Sequence, residues 1–425
     1  MTDVVIIGAG VAGLAAAGAL RRRGASVQVI EAGTRPGGRA WTSTPPALSG
    51  VPFDHGAAWL HAAEANPLVP LAQAAAFPVL DADARRSRHL RRDGSAATAA
   101  DLAAYRAAYD ALTEAAAARA MSGAPDTTLA AALAAPGTEP DTYPWAPTVA
   151  AWEGAIIAAA DADALSLADW HANALHGRNL SVPDGLGSLV RAVLEPAAGT
   201  LALATPARRV RWQEKTGVAV ETPRGTLAAR AVIVTVSTGV LAAGAIGFDP
   251  PLPARIEAAI GALPMGLLSK VALRAAGADR LGLPDSASVF GQVSGEARMV
   301  FHAWPFGRDH VIGFIGGRAA WALARAGAAA AEDFARAELA ALLGHGAARA
   351  FAPGAVVTAW GTDPPFLGAY CYARPGGAAA RRALAEPLGG GRLVFAGEAC
   401  HAGFGGTVAG AFLSGVEAAQ AVAFS

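Results

Sequence analysis

The sequence predicts an α/β fold: a Rossmann-like domain assembled from discontinuous segments, joined to a second, α+β domain with a mixed sheet and a helical roof. Three observations carry that expectation. Residues 3–31 read as strand, glycine turn, helix and strand, and the stretch from residue 392 onward repeats strand, glycine loop and helix. Between them the texture passes from alanine-rich helical periodicity to short alternating runs. At 425 residues the chain is also too long for one simple core.

Taken in order, "DVVIIGAG" is apolar and β-branched, "VAGLAAAGALRRRG" is a good helix former ending on Gly24, and "SVQVIEA" is again a strand. Gly8, Gly10 and Gly13 fall in the turn of this βαβ unit. The first suits a tight turn, the second a close approach of backbone to a pyrophosphate, and the third the packing of helix on strand. A helix N-terminus then offers N–H groups and positive potential to phosphates. Glu31 ends the second strand, where a carboxylate binds a ribose hydroxyl pair.

From about Glu64 to Asp169 the chain has helical periodicity, broken at Pro125, Pro136, Pro140, Pro144 and Pro147. From Thr205 three strands follow, with turns at Thr216-Gly217 and Arg224-Gly225. Residues 254–263 read as helix, 267–275 as strand, 299–317 as a hairpin around Gly307, and 319–343 as helix.

Composition excludes several classes. Hydrophobic residues make up 53% and charged residues 16%, which is not the composition of a disordered chain. The formal net charge is zero and the pI about 7.1. No long basic run appears; the nearest, "RRSRHLRR" (85–92), reads as solvated surface rather than a nucleic-acid or lipid contact. Cys371 and Cys400 make neither a disulfide framework nor a metal cluster and fit a reducing compartment. Asp3 stands where a secretory leader would be basic. Residues 231–248 carry no charge, yet Thr235, Ser237, Thr238, Gly239 and Gly244 favour a strand and turn over a membrane span. The expectation is a soluble, cytoplasmic protein without a metal site.

Further motifs follow in order: "EAGTRPGGRA" (31–40), "FDHGAAWLH" (53–61), "MGLLSKVAL" (265–273), "WGTDPPFLGAYCY" (360–372) and "FAGEACHAGFGGTVAGAFLSGVEAA" (395–419). Together they resemble the flavin-containing amine oxidases over nearly the whole chain, most closely polyamine oxidases and the catalytic domain of lysine-specific histone demethylases. The resemblance implies FAD as cofactor. It implies an FAD-binding domain of residues 1–62, 180–250 and 388–425, and a substrate-binding domain of 63–179 and 251–387. Gly8, Gly10, Gly13 and Glu31 would serve the adenosine and pyrophosphate. Gly37, Gly38 and Arg39, with Gly56, Ala57 and Ala58, would follow along the flavin. Val210 would contact the adenine, Glu398 the flavin side chain, and Thr407 and Val408 would open the last helix under the ring. Ala369 stands at the position where monoamine oxidases attach the flavin through a cysteine, so attachment should be non-covalent. Cys400 is expected to be a packing residue.

The resemblance further implies oxidation of an amine C–N bond by O₂, with H₂O₂ released. The chain has two lysines, Lys215 and Lys270, among 34 basic Lys and Arg residues. Lys270 is the catalytic candidate, holding a water beside the flavin and assisting oxygen chemistry. An aromatic pocket would lower the amine's pKa by desolvation. Trp59, Tyr370 and His61 are its candidate residues, while Trp304 and Trp360 read better as core. A distal ammonium would need a carboxylate among Glu153, Asp161, Asp163 and Asp169, and His171 and His176 read as structural or exposed. Ser237, Pro365 and Thr407 depart from the family's pattern and bear on the pocket's shape. The expected partners are a small amine and O₂, not nucleic acid or membrane. An L-amino-acid oxidase, a carotenoid-type dehydrogenase and a non-catalytic FAD-binding protein are the alternatives.

Overall fold

The computed structural model describes residues 2–134, 143–213, 217–295 and 298–423. The expected breaks at Pro136 and Pro140, and Thr216 of one expected turn, lie outside them.

Two large sheets organise these residues. The first has eight strands. Thr2–Ile7 lies at its centre, parallel to Val27–Ile30 on one side and to the second half of Gly225–Val234 on the other. Every one of these strand ends is apolar and fully or nearly buried, as a parallel sheet covered on both faces requires. Leu201–Ala202 extends the sheet beyond Val27–Ile30, and Leu393–Phe395 joins Gly225–Val234 in parallel. The first half of Gly225–Val234 turns the sheet into an antiparallel meander with Gly217–Thr222 and Arg209–Gln213. Three distant stretches of sequence therefore build one sheet. The uncharged 231–248 stretch divides into the end of this strand, the short helix Thr238–Ala242 and the edge strand Gly247–Asp249.

Helix Val11–Arg22 covers one face, with helix Val408–Ala421 packed on it. A Cβ on Gly415 would come within 2.2 Å of the Ala12 carbonyl oxygen, so glycine sets the distance between these helices. The aliphatic cluster of Val4, Ile6, Leu14, Leu20 and Ile233 beneath them is fully buried.

The second sheet has seven strands, in the order Val356–Val357, Leu268–Arg274, His310–Gly316, Val300–Ala303, Ala287–Gly291, Ser87–Arg92 and Ser95–Ala96. Most of the basic cluster 85–92 thus forms strand Ser87–Arg92 of this sheet, paired in parallel with Ala287–Gly291, with Arg88 and Arg92 exposed. The helical stretch expected over 319–343 is two helices, Gly317–Ala326 and Ala328–Leu343. Gly327, at φ +96°, separates them in a conformation no helix contains.

Helix Ala99–Met121 begins in a capping box, Thr98 and Asp101 each binding the other's backbone N–H. With Leu129–Leu133, Ala146–Ala151 and Leu167–Ala172 it forms a roof. Tyr105, Leu112 and Trp145 of that roof pack on Leu90 and Phe290 of the second sheet. Trp304 is fully buried against Phe351 in a separate core on the sheet's other side.

Candidate active site

Between the two sheets and the roof lies a cavity of about 1090 Å³. This exceeds the roughly 300–1,000 Å³ of an ordinary small-molecule pocket. Its walls bring together most of the residues singled out from sequence.

One end is the glycine turn. Gly8 has φ +107°, and a Cβ there would meet Thr235 Oγ1 at 2.5 Å. A Cβ on Gly13 would lie 2.0 Å from the Gly8 carbonyl oxygen, so helix and strand touch. Gly10 is different: a Cβ there meets nothing within 4 Å, and the residue lines the cavity. The fold does not need glycine at that position, whereas a group lying against the backbone does. Glu31 accepts from the N–H groups of Ala9 and Gly33, which fixes its carboxylate at the cavity wall. Gly37 and Gly38, both at positive φ, carry the wall onward.

Arg39 donates to the Ala369 carbonyl and pairs with Glu398 at 2.9 Å. The Glu398 carboxylate also accepts from the N–H groups of Cys371 and Gly406 and from the Cys371 thiol. Thr407 caps helix Val408–Ala421 by accepting from Gly410 N–H, leaving the remaining first-turn N–H groups at the cavity edge. Gly56, Ala57 and Ala58 complete this side.

Val210 does not belong here. It is fully buried in the apolar core of the first sheet, and the cavity is lined instead by Thr205, Pro206 and Ala207 just before the strand. Strand Arg209–Gln213 turns Val210 inward to the core, and the preceding loop makes the wall.

Lys270 sits on the cavity wall in strand Leu268–Arg274 and is only 4% exposed. Its Nζ donates to the carbonyls of Asp54 at 2.7 Å and Gly56 at 2.6 Å. Phe53, Trp59 and Phe314 surround it, their ring centroids 5.7–6.0 Å from Nζ. Burial lowers its pKa to about 8, against a smaller opposing pull from Asp54.

His61 and Trp59 line the same region. Asn179 Nδ2 donates to Asp83, so its Oδ1 faces His61 Nδ1 and accepts from it. The free lone pair of His61 is therefore on Nε2, and burial lowers its pKa. Tyr370 lines the cavity and donates its hydroxyl to the Ile157 carbonyl. Cys371 is next to it on the strand but is engaged with Glu398 and Arg381, and burial raises its thiol well above the ordinary range. Trp360 reaches the cavity wall but is buried, its indole N–H bound to the His55 carbonyl. Cys400 is buried and unpaired by disulfide, in the core of the first sheet.

The four acidic candidates separate cleanly. Asp161 and Asp163 both pair with Arg318. Asp169 is locked in a buried ion pair with Arg381. Glu153 remains, buried on a π-helical turn, Trp152–Ala158, and lining the cavity. Its oxygens accept from Tyr109 Oη at 2.6 Å and Trp170 Nε1 at 3.0 Å. It has no cation among the described residues. His171 and His176 also reach the cavity, His176 at its exposed rim. Asn179 and Asp83, which orient His61, carry no motif that would have singled them out. Of the departures from the family's pattern, Ser237 caps the helix after it and donates to the Phe366 carbonyl, and Pro365 lines the cavity. Among the described residues no cluster of His, Cys, Asp or Glu could hold a metal ion, and no helix is long and apolar enough to cross a membrane.

A glycine turn with room at Gly10, a ribose-type carboxylate and a helix N-terminus at the far end have the form of a dinucleotide site, with an adjoining aromatic-walled chamber. Residues 11–423 match the family described as flavin containing amine oxidoreductase, and the chain belongs to that family. It is an FAD-dependent amine oxidoreductase. It is 29% identical to polyamine oxidase 3 of Oryza sativa subsp. japonica, covering 98% of this chain and 88% of that protein. It is 30% identical to FLOWERING LOCUS D of Arabidopsis thaliana, where the match spans this whole chain but 56% of the relative. Among solved structures, wild-type putrescine oxidase bound to putrescine superposes with a TM-score of 0.80 at 22% identity, over 99% and 98% of the two chains.

Proposed function

We propose that this enzyme oxidises the C–N bond of a primary or secondary amine with O₂ as acceptor. For a primary amine the balance is RCH₂NH₂ + O₂ + H₂O → RCHO + NH₃ + H₂O₂, by way of the imine. Bound FAD supplies the two-electron acceptor, and Ala369 at the attachment position supports non-covalent binding. Glu31 would hold the ribose, the Gly8–Gly13 turn the pyrophosphate, and the end of helix Val408–Ala421 the flavin ring.

The observation that carries this reading is a buried lysine and a buried, cation-free carboxylate in one aromatic-walled cavity. Glu153 would draw in the amine as its ammonium form, and that nitrogen must give up its proton before it reacts. Trp59, Phe314 and Tyr370 exclude water, and desolvation moves the reacting nitrogen toward its neutral, electron-donating form. Two of the three Lys270 N–H donors are taken by carbonyls. The third is then left for a water or for oxygen as negative charge develops there.

The test is a peroxide-coupled assay of the purified yellow protein across mono-, di- and polyamines, with the flavin spectrum followed anaerobically. Peroxide release and flavin bleaching by the same amines are expected, and acid precipitation should leave the flavin in the supernatant. Bleaching by no amine at all would overturn the reading.

A further inference from the structure

The cavity has a second polar surface that this chemistry leaves unused. Strand pairing sets Arg88 beside Ser288 and Ser288 beside His302. Two residues from His302 on its strand, Val300 stands beside Phe314, and Phe314 beside Lys270, on the next two strands. Side chains alternate along a strand, so residues two apart share a face. The row Arg88–Ser288–His302 and the row Val300–Phe314–Lys270 are therefore neighbours on one face of the second sheet, and all six line the cavity. Arg86, immediately before the strand, lines it too, its guanidinium 5.9 Å from the Trp59 ring centroid.

Apart from that ring contact, Arg86, Arg88, Ser288 and His302 have no hydrogen-bond or ion-pair partner for their side chains among the described residues. Arg91 and Arg92 on the same strand are satisfied by carbonyls and by Asp101. Neither Arg86 nor Arg88 has a side-chain hydrogen bond or ion pair with any described residue. The nearest carboxylate to act on Arg86, Asp83, is occupied by the N–H groups of Asn179. Ser288 is a buried residue whose hydroxyl lies at the cavity wall, and neither it nor the His302 ring is hydrogen-bonded among the described residues. Burial first, then the charge on Arg86, drives the His302 pKa down to about 3, so its imidazole is a neutral donor and acceptor. Arg86 is half-buried and Arg88 exposed, which orders the row from the interior to the rim.

A guanidinium fork without a direct ion-pair partner, flanked by a free hydroxyl and imidazole, is complementary to a planar carboxylate. The same charges oppose a substrate carrying several ammonium groups. We infer that this row is an anion subsite, and that the amine oxidised here carries a carboxylate at the end remote from the reacting nitrogen. This rests on the cavity being an amine site, as proposed above.

Holoenzyme kinetics on three matched series of four to eight carbons test it: ω-amino carboxylates, n-alkylamines and α,ω-diamines. The ω-amino carboxylate of best length should exceed its alkylamine in kcat/KM by at least tenfold. In Arg86→Gln/Arg88→Gln that ratio should fall to near one, and Arg88→Lys should restore part of it. Arg88→Glu should invert the preference toward the diamine. Because each comparison is a ratio within one variant, a general loss of activity cancels. Titration calorimetry of inert pentanoate should show binding to wild-type holoenzyme and none to the double Gln variant. Ratios near one in the wild type, or pentanoate binding indifferent to both arginines, would overturn the subsite while leaving amine oxidation intact. If no amine is turned over, the proposed function falls, and the pentanoate titration still decides the subsite.

Discussion

At the scale of single residues, Lys270 was conspicuous in the sequence as an ammonium inside an apolar run. Its partners were not, because the carbonyls of Asp54 and Gly56 lie more than 200 residues away. No pattern local to 265–275 encodes them. Glu153 could not be separated from Asp161, Asp163 and Asp169 by sequence either. What separates them is which acids an arginine reaches, a property of tertiary packing. Lys270→Met should keep FAD bound but slow flavin reduction or reoxidation at least tenfold, read by stopped-flow spectroscopy. Its protonation also marks stability. With a folded pKa of about 8 against an ordinary 10.5, the unfolded chain binds more protons between those pH values. Folding stability therefore gains from this group as pH rises from 8 to 10.5. The Tm of the wild type relative to Lys270→Met should climb across that window, and a flat difference would contradict a buried, titrating ammonium.

At the scale of elements, the opening βαβ unit was legible because strand, glycine turn and helix are contiguous. Strand Ser87–Arg92 was not. Its alternation of polar residues suggests solvent, and only its pairing with Ala287–Gly291 reveals that one face looks into a cavity. The break at Gly327 hid inside alanine-rich periodicity that continues on both sides of it. The glycine turn offers a contrast in two substitutions. Gly13→Ala should lower the stability of the apoprotein, since its Cβ has no space beside the Gly8 carbonyl. Gly10→Ala should leave apoprotein stability nearly unchanged and weaken FAD binding, since its Cβ intrudes only on the cavity. Thermal melts with and without FAD distinguish the two, and equal loss in both apoproteins would refute the cradle.

At the scale of the whole molecule, the interleaving of segments was readable from the recurrence of strand, glycine loop and helix at both ends. The link between roof and first sheet was not. Asp169 in the roof pairs at 2.6 Å with Arg381, whose guanidinium also donates to Cys371 Sγ beside Glu398. Asn173, one turn on from Asp169, accepts from Gly405 N–H in the loop before the last helix. Removing one member of a buried ion pair costs about 3–5 kcal/mol because the other is left uncompensated. Asp169→Ala should therefore lower the unfolding midpoint and loosen FAD together, seen as faster flavin release on dilution. Destabilisation with unchanged flavin release would confine the pair to a purely local role.

The placement of strand Leu393–Phe395 beside Gly225–Val234, and of helix Val408–Ala421 on helix Val11–Arg22, also has a bearing on biosynthesis. The first βαβ unit leaves the ribosome early, but the surfaces it must cover arrive almost last. At about 5–20 residues per second, that interval is roughly 20–80 s. Throughout it, the part of the opening helix that meets the last helix stays uncovered, although helix Leu186–Ala198 packs on another part of it earlier. The cavity wall formed by Thr407, Val408 and Ala411 is therefore completed only when the last helix packs onto the first.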